Sequence, residues 1–500
     1  MSEKFEKLKT LIAEVADLGA AQAVLGWDQQ TYMPPGGAEA RGHQLATLGS
    51  LTHQKFTSDE IGQLLADLKV EFADADPDSD EARHIKVTSK DYDQATKVPS
   101  DYIAKFARLT AQGHESWAKA REASDFSIFQ ADLEEIVEMR KEYVSFFPPA
   151  DHPYDTLLDE FEPGMKTADV QQIFGVLRER QVELLKAIAD AKQVNDDFMH
   201  VNYPEKEQWD FGVEVATKFG YDWNRGRQDK SVHPFTTSFG VNDVRITTRF
   251  MEDFFPSALF GTMHEAGHGL YEMGVNQDYE RTSLNGGASL GIHESQSRLW
   301  ENLVGRSMPF WESFYPRLQE SFPSQLGNID LPNFYKGINK VEPSLIRVEA
   351  DEATYNMHIM LRLELEIAMI EGSVAIKDLP ELWNSKFEEY LGITPSNDAE
   401  GVLQDIHWSF GGLGYFSTYA LGNLISVQLW EKINADIPDL DEQIRQGKFD
   451  TLLSWLRTNV HVYGRKYEPQ ELVQKVTGSK ITPEPYLRYL EGKYSEIYGL

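Results

Sequence analysis

Strand-like alternation occurs at one place in this chain, and helical periodicity almost everywhere else. The segments HPFTTSFG (233–240) and VRITTRF (244–250) are rich in β-branched and aromatic residues, alternate along their length, and are joined through Val241-Asn242-Asp243, as a hairpin requires. Elsewhere apolar residues recur with the 3.6-residue period. Phe5, Leu8, Leu11, Ile12 and Val15 line one stripe of a first helix, which Met33-Pro34-Pro35-Gly36-Gly37 breaks. Further helices are predicted over roughly 39–52, 58–74, 82–95, 99–122, 126–146 and 167–193. DADPDSD (74–80) reads as an acidic loop, and Pro148-Pro149 stops the helix before it. Helical periodicity resumes near residue 256 and continues to the end, with an especially long stretch over 342–372. The pattern predicts a mostly α fold with one small sheet. We expect a single domain over 1–500 in two lobes: a helical portion over about 1–200, and a portion over about 201–500 carrying the sheet.

Composition narrows the chemistry. A chain of 500 residues with 41% hydrophobic and 12% aromatic content can bury a large core. Its formal charge of -32 disfavours nucleic acid, whose phosphates it would repel. With no cysteine, the chain makes neither disulfides nor thiolate metal sites, so a bound metal must rest on histidine and carboxylate. The N-terminus reads as an amphipathic helix and not as a signal peptide, and no stretch approaches the roughly 18 apolar residues of a membrane span. The expectation is a cytoplasmic protein with no membrane partner.

Within SALFGTMHEAGHGLYEMG lies His264-Glu265-Ala266-Gly267-His268, an H-E-x-x-H pentad. Histidines four apart on a helix stand one turn apart on one face, so both imidazoles can converge on one ion, with Glu265 beside a metal-held water. Zinc asks for a third ligand. Glu272 lies on the same face as His264 but about 12 Å along the helix axis, too far to share a tetrahedral ion. The longer H-E-x-x-H-x-x-G-x-x-H pattern also fails, since Tyr271 and Gly274 hold its later positions. The ligand must come from another element. Ile292, Leu299 and Leu303 repeat at helical spacing, which places Glu294 near the start of a helix roughly 26 residues beyond His268. A loop and a returning antiparallel helix would bring it to the two histidines. Glu301 shares its face and could support the ligands or be a solvated residue; His293 should point elsewhere. A zinc site of this kind activates water and polarises a carbonyl, with Glu265 moving the proton from water to the leaving amine.

The ordered set HPF (233–235), DVRIT (243–247), HEAGH (264–268), HESQS (293–297), IRVEAD (346–351) and GVLQDIHW (401–408) resembles the carboxypeptidase Taq family of metallocarboxypeptidases. LGWDQQTYMP (25–34), YDTLLDEFEPG (154–164) and GYFSTYALGN (414–423) resemble it too, so the likeness spans nearly the whole chain. The stretch YDWNRGRQDKSVHPF departs from the expected form before HPF. The resemblance implies a zinc- or cobalt-activated enzyme that removes single C-terminal residues with broad preference and acts poorly around proline. It also implies a mostly helical homodimer with a deep active-site groove between two lobes. The family's metal ligands map onto His264, His268 and Glu294, and its base onto Glu265.

Other residues carry two readings each. A terminal carboxylate is best gripped by an arginine fork. Arg347 is the first candidate, against a structural salt bridge to Glu349, Asp351 or another acid, and Arg245 and Arg249 follow. His407, Tyr415 and Tyr419 are candidate oxyanion donors or buried aromatics, with Gly411, Gly412 and Gly414 allowing close backbone approach and Gln404 and Asp405 orienting His407. His233 is a substrate contact or a packing residue. The hairpin either extends a bound peptide by strand addition or simply covers the core. The competing functions are an oligopeptidase or dipeptidase of the same chemistry, and a zinc-bearing scaffold without turnover.

Overall fold

The structure is a computed structural model that describes residues 2–500. Its first helix, Glu3–Thr31, ends beside Pro34, and Ala38–Phe56, Asp59–Glu71 and Asp80–Lys97 follow. Phe5, Leu8 and Ile12 pack with Ile61, Leu64, Leu65, Leu68 and Ile85 in a small core of their own. A much larger core runs from Tyr102 to Tyr498. The helices Ser100–Ala123, Ser127–Ser145 and Thr167–Asp190 also lie within a few residues of the periodicity that predicted them.

Two differences from the sequence reading matter for the site. The sheet has a third strand. β1 (Gly226–Lys230) lies parallel to β3 (Asp243–Thr248), and β2 (Thr236–Gly240) pairs antiparallel on the other side of β3. β1 reads Gly-Arg-Gln-Asp-Lys, with no β-branched residue and no apolar alternation, so neither signal of a strand was present. It occupies the stretch that departs from the family pattern. The helical stretch expected over 342–372 begins only at Tyr355, as helix Tyr355–Glu371. Pro343 lacks the amide that a helix interior needs. Beyond it the Asp351 carboxylate accepts from the amides of Glu342, Ala353 and Thr354 and from the Thr354 hydroxyl, which satisfies the backbone without a helix. The irregular segment so formed carries Arg347.

Strand β3 joins the sheet to the core. Val244 and Ile246 are fully buried and face inward, while Arg245, between them, turns to the other face and lies over the ring of Trp27 from the first helix. Beneath the sheet runs the helix Phe255–Gly274, with Leu259, Met263, Ala266 and Leu270 in the main core. Among the described residues, no helix is long and apolar enough to cross a membrane.

Candidate metal centre

The helix Phe255–Gly274 presents His264 and His268 one turn apart, and the helix Leu290–Arg298 brings Glu294 to them. Glu294 Oε2 lies 3.5 Å from Nε2 of His264 and 3.5 Å from Nε2 of His268. Zinc bonds to nitrogen and carboxylate oxygen of about 2.0–2.2 Å set tetrahedral ligand atoms about 3.3–3.5 Å apart. The carboxylate therefore stands at that spacing from both imidazoles, the ligand atoms of all three side chains lie within 4.8 Å of one another, and two imidazoles with a carboxylate suit such an ion. Residue Glu272, excluded as a ligand by its distance along the helix, is indeed outside this group.

Glycine makes the convergence possible. A Cβ on Gly267, inside the pentad, would stand 2.7 Å from the backbone of Gln296 and Ser297 on the ligand helix. On the other side of that helix, a Cβ on Gly422 would meet Glu294 Cβ at 2.6 Å. The helix Ser417–Asp436 and the histidine helix thus clamp the ligand helix at two points where only hydrogen side chains fit. Its N-terminus is held as firmly. Ser289 Oγ accepts from the Ile292 amide, Phe161 O from Leu290, and the buried Glu162 carboxylate from Gly291. Its far end widens into a π-helical turn, Leu299–Val304, which carries Glu301.

Each of these three side chains has a partner behind it. His264 Nδ1 donates to Glu301 Oε2 at 2.8 Å, and His268 Nδ1 lies 2.6 Å from His293 Nδ1. Arg298 donates to Glu294 Oε1 at 2.7 Å and to Glu301 Oε2 at 3.1 Å, leaving Glu294 Oε2 to face the histidines. Burial alone would raise both acids. The Arg298 guanidinium and His264 outweigh it, holding Glu301 down to about 2 and Glu294 well below the usual carboxylate range. Arg298 was not singled out in the sequence, although its position four residues after Glu294 was a readable helical ion pair. Burial pushes the Glu265 carboxyl up, and Thr236 Oγ1 on β2 donates to its Oε2 at 2.6 Å.

The other candidates divide into those near the ligands and those held elsewhere. His407, Tyr415 and Tyr419 form one aromatic cluster, with His407 and Tyr415 ring centres 5.0 Å apart and Tyr415 and Tyr419 5.5 Å apart. Burial raises the Tyr415 phenol, and the neighbouring Tyr419 hydroxyl opposes that. Burial lowers His407 to about 4, so its imidazole is neutral at physiological pH.

Arg347 is buried. Its Nε and Nη2 donate to Asp405 Oδ1 at 3.1 and 2.8 Å, and Nη1 donates to the Tyr355 hydroxyl at 2.8 Å. Its acid partner is Asp405, not Glu349 or Asp351. Arg362 pairs with the other Asp405 oxygen at 2.5 Å, so two guanidiniums share one carboxylate. Asp405 lies 3.8 Å from His407 Nδ1, beyond hydrogen-bond range, and Gln404 Oε1 instead accepts from the Arg347 amide. These two residues therefore orient the arginines more directly than His407. Arg245 forks onto Asp243, Arg249 contacts Met251, and His233 is exposed in the turn between β1 and β2. Glu366 is a further buried acid that sequence reading passed over. It accepts from Trp408 Nε1 at 2.8 Å, Gly414 N at 2.9 Å and the Tyr154 hydroxyl at 2.6 Å, which pins the loop between His407 and Tyr415.

Comparison with known proteins agrees with this geometry. A family model described as carboxypeptidase Taq (M32) metallopeptidase matches residues 7–494. The thermostable carboxypeptidase 1 of Thermus thermophilus is 40% identical over 505 residues, covering 99% of each chain. Carboxypeptidase 1 of Bacillus subtilis is 38% identical, covering 98% of each. Among solved structures, the M32 carboxypeptidase from Deinococcus radiodurans R1 superposes with a TM-score of 0.97 at 40% identity, covering 100% of both chains. With a family match along almost its full length and relatives of this identity, the chain belongs to the carboxypeptidase Taq (M32) family of metallopeptidases and is a peptide hydrolase.

Proposed function

We propose that this protein is a zinc-dependent carboxypeptidase that releases single C-terminal residues from peptides, with broad preference and poor action around proline. The observation that carries the metal assignment is the triangle of His264 Nε2, His268 Nε2 and Glu294 Oε2, with both nitrogens 3.5 Å from the oxygen. When bound, a divalent ion supplies Lewis-acid activation of water and of the scissile carbonyl; cobalt is expected to substitute for zinc. Glu265 takes the water proton and later passes it to the leaving amine. Its burial suits it to both steps, and its bond to Thr236 fixes the carboxylate relative to strand β2. Tyr415 is taken as the oxyanion donor, with Tyr419 and the neutral His407 beside it in the same aromatic cluster.

Exopeptidase action needs a cation at one end of the site. Among the described residues, Arg347 and Arg362 form ion pairs with Asp405 alone, which leaves an uncompensated positive charge in a protein of net charge -32. A substrate carboxylate would balance it. On this reading β2, the edge strand above Glu265, takes the peptide by strand addition. The family resemblance further implies a homodimer, and we expect each subunit to be a single cytoplasmic domain. The deciding experiment incubates the metal-loaded enzyme with peptides free or amidated at the C-terminus and identifies every product by mass spectrometry. Ladders shortened one residue at a time, from free acids only, are expected. Internal cuts or released dipeptides would replace the carboxypeptidase reading with an oligopeptidase or dipeptidase.

A further inference from the structure

The two histidine ligands are supported in unequal ways. Behind His264 stands one carboxylate, Glu301, which Arg298 also engages. Behind His268 stands a second imidazole. His268 Nδ1 lies 2.6 Å from His293 Nδ1, and His293 Nε2 lies 2.7 Å from Glu272 Oε1. Glu272 comes from the same helix as His268, one turn on, and His293 from the ligand helix, next to Glu294. Among the described residues, Glu272 forms no ion pair with lysine or arginine, so nothing competes with His293 for it. A niche has been left for the His293 ring: a Cβ on Gly287 would stand 2.8 Å from its Cδ2 and 2.9 Å from Tyr271.

Hydrogen-bond chemistry orders the protons along this chain. An ionised carboxylate only accepts, so His293 must carry its proton on Nε2. A neutral imidazole protonated there has its lone pair on Nδ1 and can only accept from His268. His268 must then carry its proton on Nδ1, which leaves the Nε2 lone pair directed at the position shared with Glu294 Oε2. We propose that Glu272 and His293 form a positioning relay that fixes the tautomer and ring orientation of His268 and so raises the affinity of the site for its metal. The sequence reading gave Glu272 no role once it was excluded as a ligand, and gave His293 only a direction away from the metal; the relay accounts for both. Neither residue touches the reacting atoms. The relay rests on the metal-site reading, because only a ligand histidine needs one particular lone pair.

The test measures zinc dissociation constants by competition with a chromophoric chelator, for the parent and for His293→Phe, His293→Gln, Glu272→Ala and Glu272→Gln. Thermal midpoints of the metal-free proteins are recorded alongside. His293→Phe and Glu272→Ala should bind zinc about 10–100-fold more weakly. His293→Gln should recover part of the loss, because its carbonyl oxygen can accept from His268 Nδ1, and Glu272→Gln should do so by accepting from His293. A purely packing role predicts a fall in the metal-free midpoint with zinc affinity unchanged. If His293→Phe and Glu272→Ala both bind zinc within twofold of the parent, the relay is wrong while the metal site stands. A parent with no measurable zinc affinity would overturn the metal site and the relay together.

Discussion

Thr236 Oγ1 donates to Glu265 Oε2 at 2.6 Å, so the edge strand of the sheet grips the carboxylate assigned as the base. The Glu265 carbonyl oxygen, 3.0 Å from the same hydroxyl, is the alternative acceptor for its single proton. Thr236→Val keeps the shape and removes that donor. It should retain metal and lower kcat by roughly 3–30-fold, the worth of one or two kcal/mol of lost positioning. Glu265→Gln should also retain metal, with a loss on the order of 10²–10⁴-fold. Metal content and steady-state rates check both, and a Thr236→Val enzyme of parental kcat would show that the strand does not position the base.

The tyrosine pair separates by its surroundings. Tyr415 packs against His407 with ring centres 5.0 Å apart, whereas the Arg347 guanidinium lies over the Tyr419 ring at 4.9 Å. Tyr415→Phe should lower kcat by about 10²–10³-fold with little change in KM, since an oxyanion bond forms mainly in the transition state. Tyr419→Phe should affect KM at least as much as kcat. The reverse pattern in the two rate profiles would exchange their roles.

Discrimination at the C-terminus is expected to depend on Arg347. Losing one charge-assisted contact of about 1.5–3 kcal/mol should lower kcat/KM for free-acid peptides by roughly 10–150-fold in Arg347→Met. Because Arg362 still pairs with Asp405, the carboxylate is not left without a partner. The informative quantity is the acid-to-amide ratio of kcat/KM, which should shrink in the variant. An unchanged ratio would make the Arg347–Asp405 pair purely structural and move the receptor to another cation.

The buried acid Glu366 should subtract stability as pH rises. Burial raises Glu366 to about 7, although the Gly414 amide and the Tyr154 and Trp408 side chains oppose it. A carboxyl with a raised folded pKa binds its proton more tightly in the native state. Its contribution is therefore present below the unfolded value near 4.5 and lost as pH rises towards about 7. Glu162, raised to about 8, and Asp351, raised to about 6, act in the same sense. Buried histidines such as His84 and His407, lowered to about 4, act in the opposite sense below about 6.5, so urea unfolding of the metal-free protein from pH 5 to pH 8 is read as the difference between parent and Glu366→Gln. Relative to the parent, Glu366→Gln should gain on the order of a few kcal/mol over this range, because the amide stays neutral throughout. Parallel pH profiles for parent and variant would mean that Glu366 does not titrate in this range.

Local order was legible from one dimension. The 3.6-residue period, the proline breaks and the alternating hairpin located most helices before residue 200 and two of three strands, because these signals arise between residues a few positions apart. The pentad at 264–268 likewise singled out two histidines on one helix face and a neighbouring acid through helix geometry alone, and the spacing to the next helix pointed to Glu294. What lay beyond this depended on contacts between distant segments. β1 has no apolar pattern and becomes a strand only because β3 offers it a parallel edge. That Arg347 meets Asp405, that Thr236 reaches Glu265, and that Glu272 finds His293 follow from how helices and strands pack. In each case a charged or hydroxyl group buried by packing had to find a partner, since an unpaired polar group in the interior is costly. Sequence spacing names the residues that have this need, and only the tertiary fold decides which of them meet.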